Sequence, residues 1–211
     1  MAYLGHLVSA NGVSPDARKV EANKSFPLPR TVRDVRAFLG FAGNDWSFIP
    51  NFAALSKPLT LTRKDFKFCW SEPQQTSFDA LKDALTSESV LAHPEFDKPF
   101  ILSCDASNYA ISAILSQEYE GKEKPLSFAS RVLNQHKINY STTEKELLAV
   151  VFGVHTHKCF LCGRKFKIIT DHAALKWLIT VNNHQCARLT RWVLKLAEYE
   201  FEVIHRPGKK T

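Results

Sequence analysis

Two short, mostly apolar segments that each lead into an aspartate place the strongest constraint on this fold. Residues 100–104 run into Asp105, and residues 166–170 run into Asp171. Apolar segments of this length are typical of buried strands. A carboxylate at the end of such a strand needs a compensating partner, because burying an unpaired charge is unfavourable. Ligand sites in open α/β sheets gather at the carboxyl ends of the strands, so both aspartates are candidate site residues.

The residues around these two segments predict an α/β domain. Strands are also predicted over residues 109–115, 125–129 and 201–204, and helices over residues 142–159, 173–178 and 187–197. Three antiparallel strands, then a helical crossover to a fourth strand, and a last strand near the end of the chain predict a mixed five-stranded sheet with flanking helices.

Residues 1–95 have a different pattern and are predicted to form a separate, mostly helical region. Thr31, followed three residues later by Asp34, is a capping-box pattern, and the apolar spacing that follows predicts a helix over residues 32–42. Residues 49–73 contain Pro50, Pro58 and Pro73 and are predicted to be loops with short elements. The change of pattern places a domain boundary near residue 95, which gives domains 1–95 and 96–211.

The positive charge of the chain is confined to its C-terminal quarter. The net charge is +7, and residues 1–154 have as many acidic as basic residues, whereas residues 155–211 have 11 Lys/Arg and 4 Asp/Glu. Such an excess suits a polyanionic partner. A solvated basic surface with no partner is the alternative, and charge alone does not separate the two.

The spacing of the cysteines and the length of the apolar runs indicate the cellular compartment in which the protein is expected. The five cysteines are irregularly spaced, which does not suggest a disulfide framework and favours a reducing environment. The longest apolar run, residues 147–154, is too short to span a bilayer. The first residues lack a basic region followed by an apolar core, so no signal peptide is predicted. We therefore expect an intracellular protein without a membrane segment.

A third carboxylate from the helix between the two strands would complete a metal site with Asp105 and Asp171. Residues 144–146 offer two glutamates at the start of that helix. Mg²⁺ prefers carboxylate oxygens and water, and two ions about 3.5–4 Å apart activate water and stabilise a leaving oxygen at a phosphodiester. The spacing alone also allows a simpler interpretation, in which Asp171 caps the helix over residues 173–178.

Ordered motifs along nearly the whole chain resemble the end of the reverse transcriptase in gypsy-type LTR retrotransposon Pol polyproteins. The first region resembles the thumb and connection segments of that family in residues 3–9, 35–40, 48–53, 68–70 and 78–82. The second resembles its ribonuclease H domain in the motifs Cys104-Asp105-Ala106-Ser107, Glu144-Lys145-Glu146-Leu147-Leu148-Ala149, Thr170-Asp171-His172 and Arg206-Pro207-Gly208-Lys209.

This resemblance implies a fold, an activity and a set of residues. It implies a ribonuclease H-like sheet preceded by a small thumb and connection remnant. It also implies hydrolysis of RNA paired with DNA by two Mg²⁺ or Mn²⁺ ions on Asp105, Glu146 and Asp171. Glu146 is chosen over Glu144 because the family's glutamate precedes an apolar pair and an alanine, which leaves Glu144 as an exposed first-turn residue. The implied partners are an RNA–DNA hybrid and the rest of the polyprotein, namely the polymerase palm and fingers and the integrase.

Three departures from the family pattern shape the expected activity. The paired aspartates of the polymerase site are absent, so RNA-directed DNA polymerisation would need other parts of the polyprotein. The fourth acid and final helix of the ribonuclease H domain are not found after Lys209, which predicts reduced or absent cleavage. Residues 44–47 replace a tyrosine- and arginine-rich run. The alternative is therefore a catalytically impaired nucleic-acid-binding or scaffold remnant of a decayed or domesticated element.

Basic residues near the proposed site are candidates for contact with phosphate. They lie on the helix over residues 187–197 and beside the strand over residues 166–170: Arg188, Arg191, Lys195, Arg164, Lys165 and Lys167. Such contacts would position a hybrid without reading its sequence. An ordinary solvated helix surface is the alternative.

Histidines and cysteines at the end of the long helix form a weaker metal pattern. His155, His157, Cys159 and Cys162 resemble half of a zinc site, with His184 and Cys186 as the nearest second pair. Their helical positions instead predict that several face the core or the solvent. His172, next to Asp171, is interpreted as a polar residue at a helix N-terminus.

Overall fold

The computed structural model describes residues 1–3, 6–10, 12–64, 68–87, 90–180 and 186–207. Contacts between Cα atoms divide the chain into two units, Met1–His93 and Pro94–Thr211. Each unit has its own buried side chains. The assignment of the first unit to a thumb and connection region stays a prediction.

In its described residues, the first unit combines a small antiparallel sheet with four α-helices. Its strands are β1 (Ala2–Tyr3), β2 (His6–Ser9) and β3 (Gly12–Pro15), and they pair in the order β1-β2-β3. Its helices are α1 (Ala17–Lys24), α2 (Val32–Ala42), α3 (Phe52–Lys64) and α4 (Glu72–Thr86), with a 3-10 helix over Gly43–Phe48.

The helix α2 forms where the capping and apolar patterns predict it. The Asp34 backbone N–H donates to Thr31 Oγ1 at 3.2 Å, and the Thr31 N–H donates to Asp34 Oδ2 at 2.9 Å. These bonds satisfy donors that a helix start leaves unpaired. The apolar side of α2 buries Val35 and Phe38 against α3 and α4.

The loop prediction for residues 49–73 is wrong over most of its length. Pro58 lies inside α3, and Pro73 lies in the first turn of α4. A proline in the first helical turn removes an N–H that would have had no partner anyway. Pro58 has no backbone N–H to donate within α3, but the adjacent Leu59 is fully buried in the core, so packing stabilises the helix across it.

The second unit is built on the predicted mixed five-stranded sheet. Its strands are β4 (Phe100–Ala106), β5 (Ala110–Tyr119), β6 (Lys122–Val132), β7 (Phe166–Thr170) and β8 (Phe201–His205). The strand order is β6-β5-β4-β7-β8. The pairs β4–β5 and β5–β6 are antiparallel, and β4–β7 and β7–β8 are parallel, which confirms the predicted fold class.

The three predicted helices of the second unit form in the predicted order, but the one predicted over residues 142–159 ends at Thr156, and two short helices were not predicted. Five helices lie in the described residues of this unit. They are α5 (Gln135–Ile138), α6 (Thr142–Thr156), α7 (Lys158–Leu161), α8 (Ala174–Thr180) and α9 (Ala187–Leu196). The hairpin between β5 and β6 is longer than predicted, because Glu120 and Gly121 both take positive φ angles and close a tight turn at its tip.

The helix α6 lies close to the sheet because Gly153 has no side chain. A Cβ added at Gly153 would lie 2.8 Å from the Cβ of Ala113 on β5. This close approach sets the height of α6 above β4 and β5. Within the described ranges, no helix has the length and apolar character needed to cross a bilayer.

Candidate metal centre

The two aspartates are brought together by the register of neighbouring parallel strands. Ser103 of β4 is paired with Ile169 of β7. Asp105 and Asp171 each lie two residues beyond that pair, so both reach the same edge of the sheet. Neighbouring strands lie about 4.8 Å apart, so the backbone positions of the two aspartates are close to each other.

Glu146 reaches the same edge from the second turn of α6. The start of α6 is fixed by Ser141, whose hydroxyl accepts from the Glu144 N–H while the Glu144 carboxylate accepts from the Ser141 N–H. One carboxylate oxygen each from Asp105, Glu146 and Asp171 lie within 4.8 Å of one another. The structure thus brings together the three acids that the sequence selected.

The electrostatics of this cluster are those of crowded like charges. Glu146 is only 4% exposed, and its Oε2 atom has no hydrogen-bond partner. Burial, and then the charges of Asp105 and Asp171, raise the pKa of Glu146 to about 8. Burial and the charge of Asp171 also raise the pKa of Asp105. Without a cation, this arrangement is unfavourable.

A divalent cation fits this cluster. The three side chains offer only carboxylate oxygens, the ligands that Mg²⁺ and Mn²⁺ favour. The unpaired Oε2 of Glu146 is a buried acceptor that such a cation would satisfy. In the part of the chain that the structure describes, this is the one group of three His, Cys, Asp or Glu side chains close enough to share an ion.

Thr143 and His205 were not predicted as site residues, but their side chains connect the segments that contain Glu146 and Asp171. Thr143 Oγ1 lies 2.9 Å from His172 Nε2, which connects α6 to the loop behind Asp171. His205 Nε2 lies 3.0 Å from the Asp171 carbonyl oxygen. Thr143 precedes Glu146 by three residues on one helix face, a spacing that the sequence does contain. His205 ends β8, the parallel neighbour of β7.

Glu144 differs from its expected role. Its side chain is 18% exposed rather than open to solvent, and its Oε1 atom lies 2.7 Å from Arg188 Nη1. The Arg188 guanidinium also lies over the Tyr140 ring, 4.1 Å from its centroid. Glu144 therefore joins α9 to the start of α6, and Arg188 is already partly neutralised.

The six basic candidates do not form one surface. Arg191 and Lys195 are exposed on α9, where Arg188 is half-buried. Arg164 and Lys165 directly precede β7, and Lys167 lies at its beginning. Six residues of extended chain separate Lys165 from Asp171, roughly 20 Å. Lys165 Nζ lies 2.6 Å from Glu200 Oε1, and the Arg164 guanidinium lies over the Phe96 ring. The group on β7 is therefore remote from the carboxylates.

The histidines and cysteines at the end of α6 take the varied positions expected of them. His157 is buried, and its Nδ1 atom lies 3.0 Å from the Gly153 carbonyl oxygen. Cys159 and Cys162 are exposed. His184, one member of the possible second pair, lies outside the described residues.

The sheet order, the crossover helix and the three converging acids define a ribonuclease H-like domain. Residues 95–199 match the family described as the RNase H-like domain found in reverse transcriptase, and this part of the chain belongs to that family.

Curated relatives match over nearly the whole chain. The Retrovirus-related Pol polyprotein from transposon 297 of Drosophila melanogaster is 40% identical over 99% of this chain and 20% of its own length. The corresponding polyprotein from transposon gypsy of the same organism is 37% identical over 99% of this chain and 21% of its own length. The chain is thus homologous to retrotransposon Pol polyproteins and spans about a fifth of these relatives.

A solved structure shares the fold at low sequence identity. The foamy viral protease-reverse transcriptase in complex with double-stranded DNA has a TM-score of 0.83 and 17% identity over 100% of this chain and 38% of its own. The complex of that protein with an RNA/DNA hybrid gives a TM-score of 0.80 and 17% identity, covering 98% of this chain and 29% of its own.

Proposed function

We propose that this chain carries the ribonuclease H activity of a retrotransposon reverse transcriptase, the metal-dependent hydrolysis of RNA in an RNA–DNA hybrid. The observation that supports it most is the convergence of Asp105, Glu146 and Asp171 within 4.8 Å, with the buried Glu146 Oε2 left without a partner. Clustered carboxylates that repel one another in the fold suit a cation that they share.

The residues of the chain have separate tasks in this proposal. Asp105, Glu146 and Asp171 would hold two Mg²⁺ or Mn²⁺ ions at the edge of the sheet, and Glu146 would do so as the charged carboxylate. When bound, such ions supply water activation and neutralise the charge that develops at the phosphate. The contact between Thr143 and His172 connects α6, which contains Glu146, to the segment that contains Asp171. This contact keeps the carboxylate oxygens of the two acids preorganised.

Contact with the hybrid is proposed for the basic side chains of α9 and of the segment that leads into β7. Arg191 and Lys195 are exposed on α9, the helix that Arg188 joins to the start of α6. The more remote Arg164, Lys165 and Lys167 stay candidates for contact further along a duplex. The remaining Pol segments, including the polymerase palm and fingers and the integrase, are proposed partners because the relatives are Pol polyproteins.

Cleavage of a labelled hybrid tests the proposal. The 211-residue chain is incubated with a 5′-labelled RNA annealed to DNA, with Mg²⁺, with Mn²⁺ and with EDTA. Asp105→Asn should lower the cleavage rate by about a thousandfold or more, because it removes a charged ligand. Asp97→Asn is the matched control, since Asp97 is an exposed acid of the same unit outside the cluster.

The outcomes separate the two candidate roles. Metal-dependent cleavage that Asp105→Asn abolishes and Asp97→Asn preserves supports the nuclease. Cleavage that survives Asp105→Asn would overturn the carboxylate mechanism. Tight hybrid binding without cleavage in either metal would instead favour the non-catalytic nucleic-acid-binding role.

A further inference from the structure

A groove on the outer side of α6 is separate from the carboxylate cluster. It has a volume of about 460 Å³ and lies between α6, the end of α9 and the segment from β6 to α5. Its floor includes Leu148, Val151 and Phe152 of α6, and its wall on α9 includes Trp192. From Leu148 to His155 the floor runs for about 10 Å, or two helical turns. We call it the α6–α9 groove.

Positive charge surrounds the α6–α9 groove. Four cations line it, Arg131, Lys137, Lys158 and Lys195, against one carboxylate, Glu198. Within the described ranges, none of the four has a carboxylate at ion-pair distance. Burial and the nearby charge of Arg131 lower the pKa of Lys137. The lining of the groove therefore has an excess of positive charge, four cations against one carboxylate.

The floor of the groove suits apolar side chains better than stacked bases. Leu148 and Val151 are aliphatic, and the Arg131 guanidinium already lies over the Phe152 ring, 5.0 Å from its centroid. The Trp192 ring is in contact with Tyr140 at 6.0 Å between centroids, tilted by 53°. Binding of single-stranded nucleic acid relies on aromatic faces that bases can stack on.

We propose that the α6–α9 groove binds an acidic amphipathic helix from a protein partner. Apolar side chains at helical spacing would enter between α6 and α9, and carboxylates on their flanks would meet Lys137, Lys158 and Arg131. An apolar floor within a basic rim is the complement of such a helix. The binding uses none of the three acids of the cluster, so it does not depend on the proposed metal site.

Fluorescence anisotropy with a defined peptide tests the proposal. The probe is a fluorescein-labelled peptide of about 14 residues, with Leu and Phe at i, i+3, i+4 and i+7 and Glu at the exposed positions. We expect the 211-residue chain to bind it with a Kd of about 10–100 μM. A peptide of the same composition in scrambled order should bind at least about tenfold more weakly, because it has no apolar face.

Charge variants locate the binding. The double variant Lys137→Glu with Lys158→Glu should weaken peptide binding by about tenfold or more, and it should bind a version of the peptide with Lys in place of Glu. The matched control, Lys122→Glu with Lys124→Glu, reverses two charges of β6 outside the groove and should change binding less than twofold. If the first double variant fails to fold, Lys137→Gln with Lys158→Gln makes the same comparison.

Three results would overturn the proposal. The scrambled peptide could bind as tightly as the probe, or the groove variants could leave the binding unchanged. A 12-nucleotide oligo-dT could also bind more tightly than the peptide, displace it, and lose affinity in the groove variants, which would make this a nucleic-acid site. Loss of hybrid cleavage in Asp105→Asn with unchanged peptide binding is the expected sign that the two sites are independent.

Discussion

Two buried carboxylates, one in each unit, have opposite surroundings. Asp45 in the first unit is 2% exposed, and its Oδ1 atom accepts from Lys19 Nζ at 2.6 Å and lies 3.0 Å from His6 Nε2. Glu146 in the second unit is 4% exposed, and its nearest charges are the aspartates Asp105 and Asp171. The same chemical group is thus neutralised in one unit and repelled in the other.

This difference separates a structural acid from a candidate ligand. The Asp45 carboxylate joins α1 and β2 to the 3-10 helix, so its charge is balanced by partners within the fold. The charge of Glu146 is not balanced in this way, because the neighbouring charges of Asp105 and Asp171 raise the free energy of its charged form. A buried acid without a cation therefore indicates a functional site more strongly than burial alone does.

The largest expected effect on stability is at Asp45. Replacing Asp45 with alanine leaves the Lys19 charge without its partner, and should lower the free energy of unfolding by about 3–5 kcal/mol. Urea denaturation followed by tryptophan fluorescence measures the change. Asp83→Ala, at an exposed position on α4, should change it by less than about 0.5 kcal/mol. Equal effects of the two substitutions would show that Asp45 is not held by its partners.

The second-largest expected effect is at Glu146, where a substitution should raise the free energy of unfolding rather than lower it. Because its pKa is raised from 4.5 to about 8, the folded state is favoured at low pH and loses that advantage as pH rises between these values. Without divalent metal, Glu146→Gln should raise stability by about 1–3 kcal/mol at pH 8 and remove much of the pH dependence. Thermal melts from pH 5 to 8.5 measure this.

Added Mg²⁺ provides the control for that experiment. It should raise the Tm of the unsubstituted chain at pH 8 more than that of Glu146→Gln, because the variant lacks a charged ligand. If the Tm of the unsubstituted chain rose between pH 5 and 8.5 in metal-free buffer, the three carboxylates would not repel one another in this way.

The smallest effect compares a paired with an unpaired arginine on α9. Arg191 has no carboxylate at ion-pair distance among the described residues, whereas Arg188 is held by Glu144. Arg191→Ala should reduce the slope of log K for hybrid binding against log salt by about 1. Arg188→Ala should change that slope less, because Glu144 already offsets its charge. A larger change for Arg188 would place that side chain, rather than Arg191, on the phosphates.

Much of the second unit could be predicted from its residues, because its patterns are local. Apolar runs ending at Asp105 and Asp171 predicted two strands that form in the structure. The choice of Glu146 over Glu144 came from the family resemblance, because the local pattern alone left both glutamates open. In the first unit the capping box at Thr31 and Asp34 predicted α2 correctly. The loop prediction for residues 49–73 was wrong, because a proline disfavours helix only through its local backbone preference. The burial of Leu59 in the core outweighs that preference at Pro58.

The sequence by itself determined which residue types lie at the ends of strands and along helix faces, since those depend on near neighbours in the chain. Only the tertiary structure decided which charges meet. It placed Asp45 against Lys19, Glu144 against Arg188, and Thr143 against His172, pairs separated by 26, 44 and 29 positions. Such pairings depend on how elements pack, because the distance between two distant side chains is set by the whole fold rather than by local periodicity.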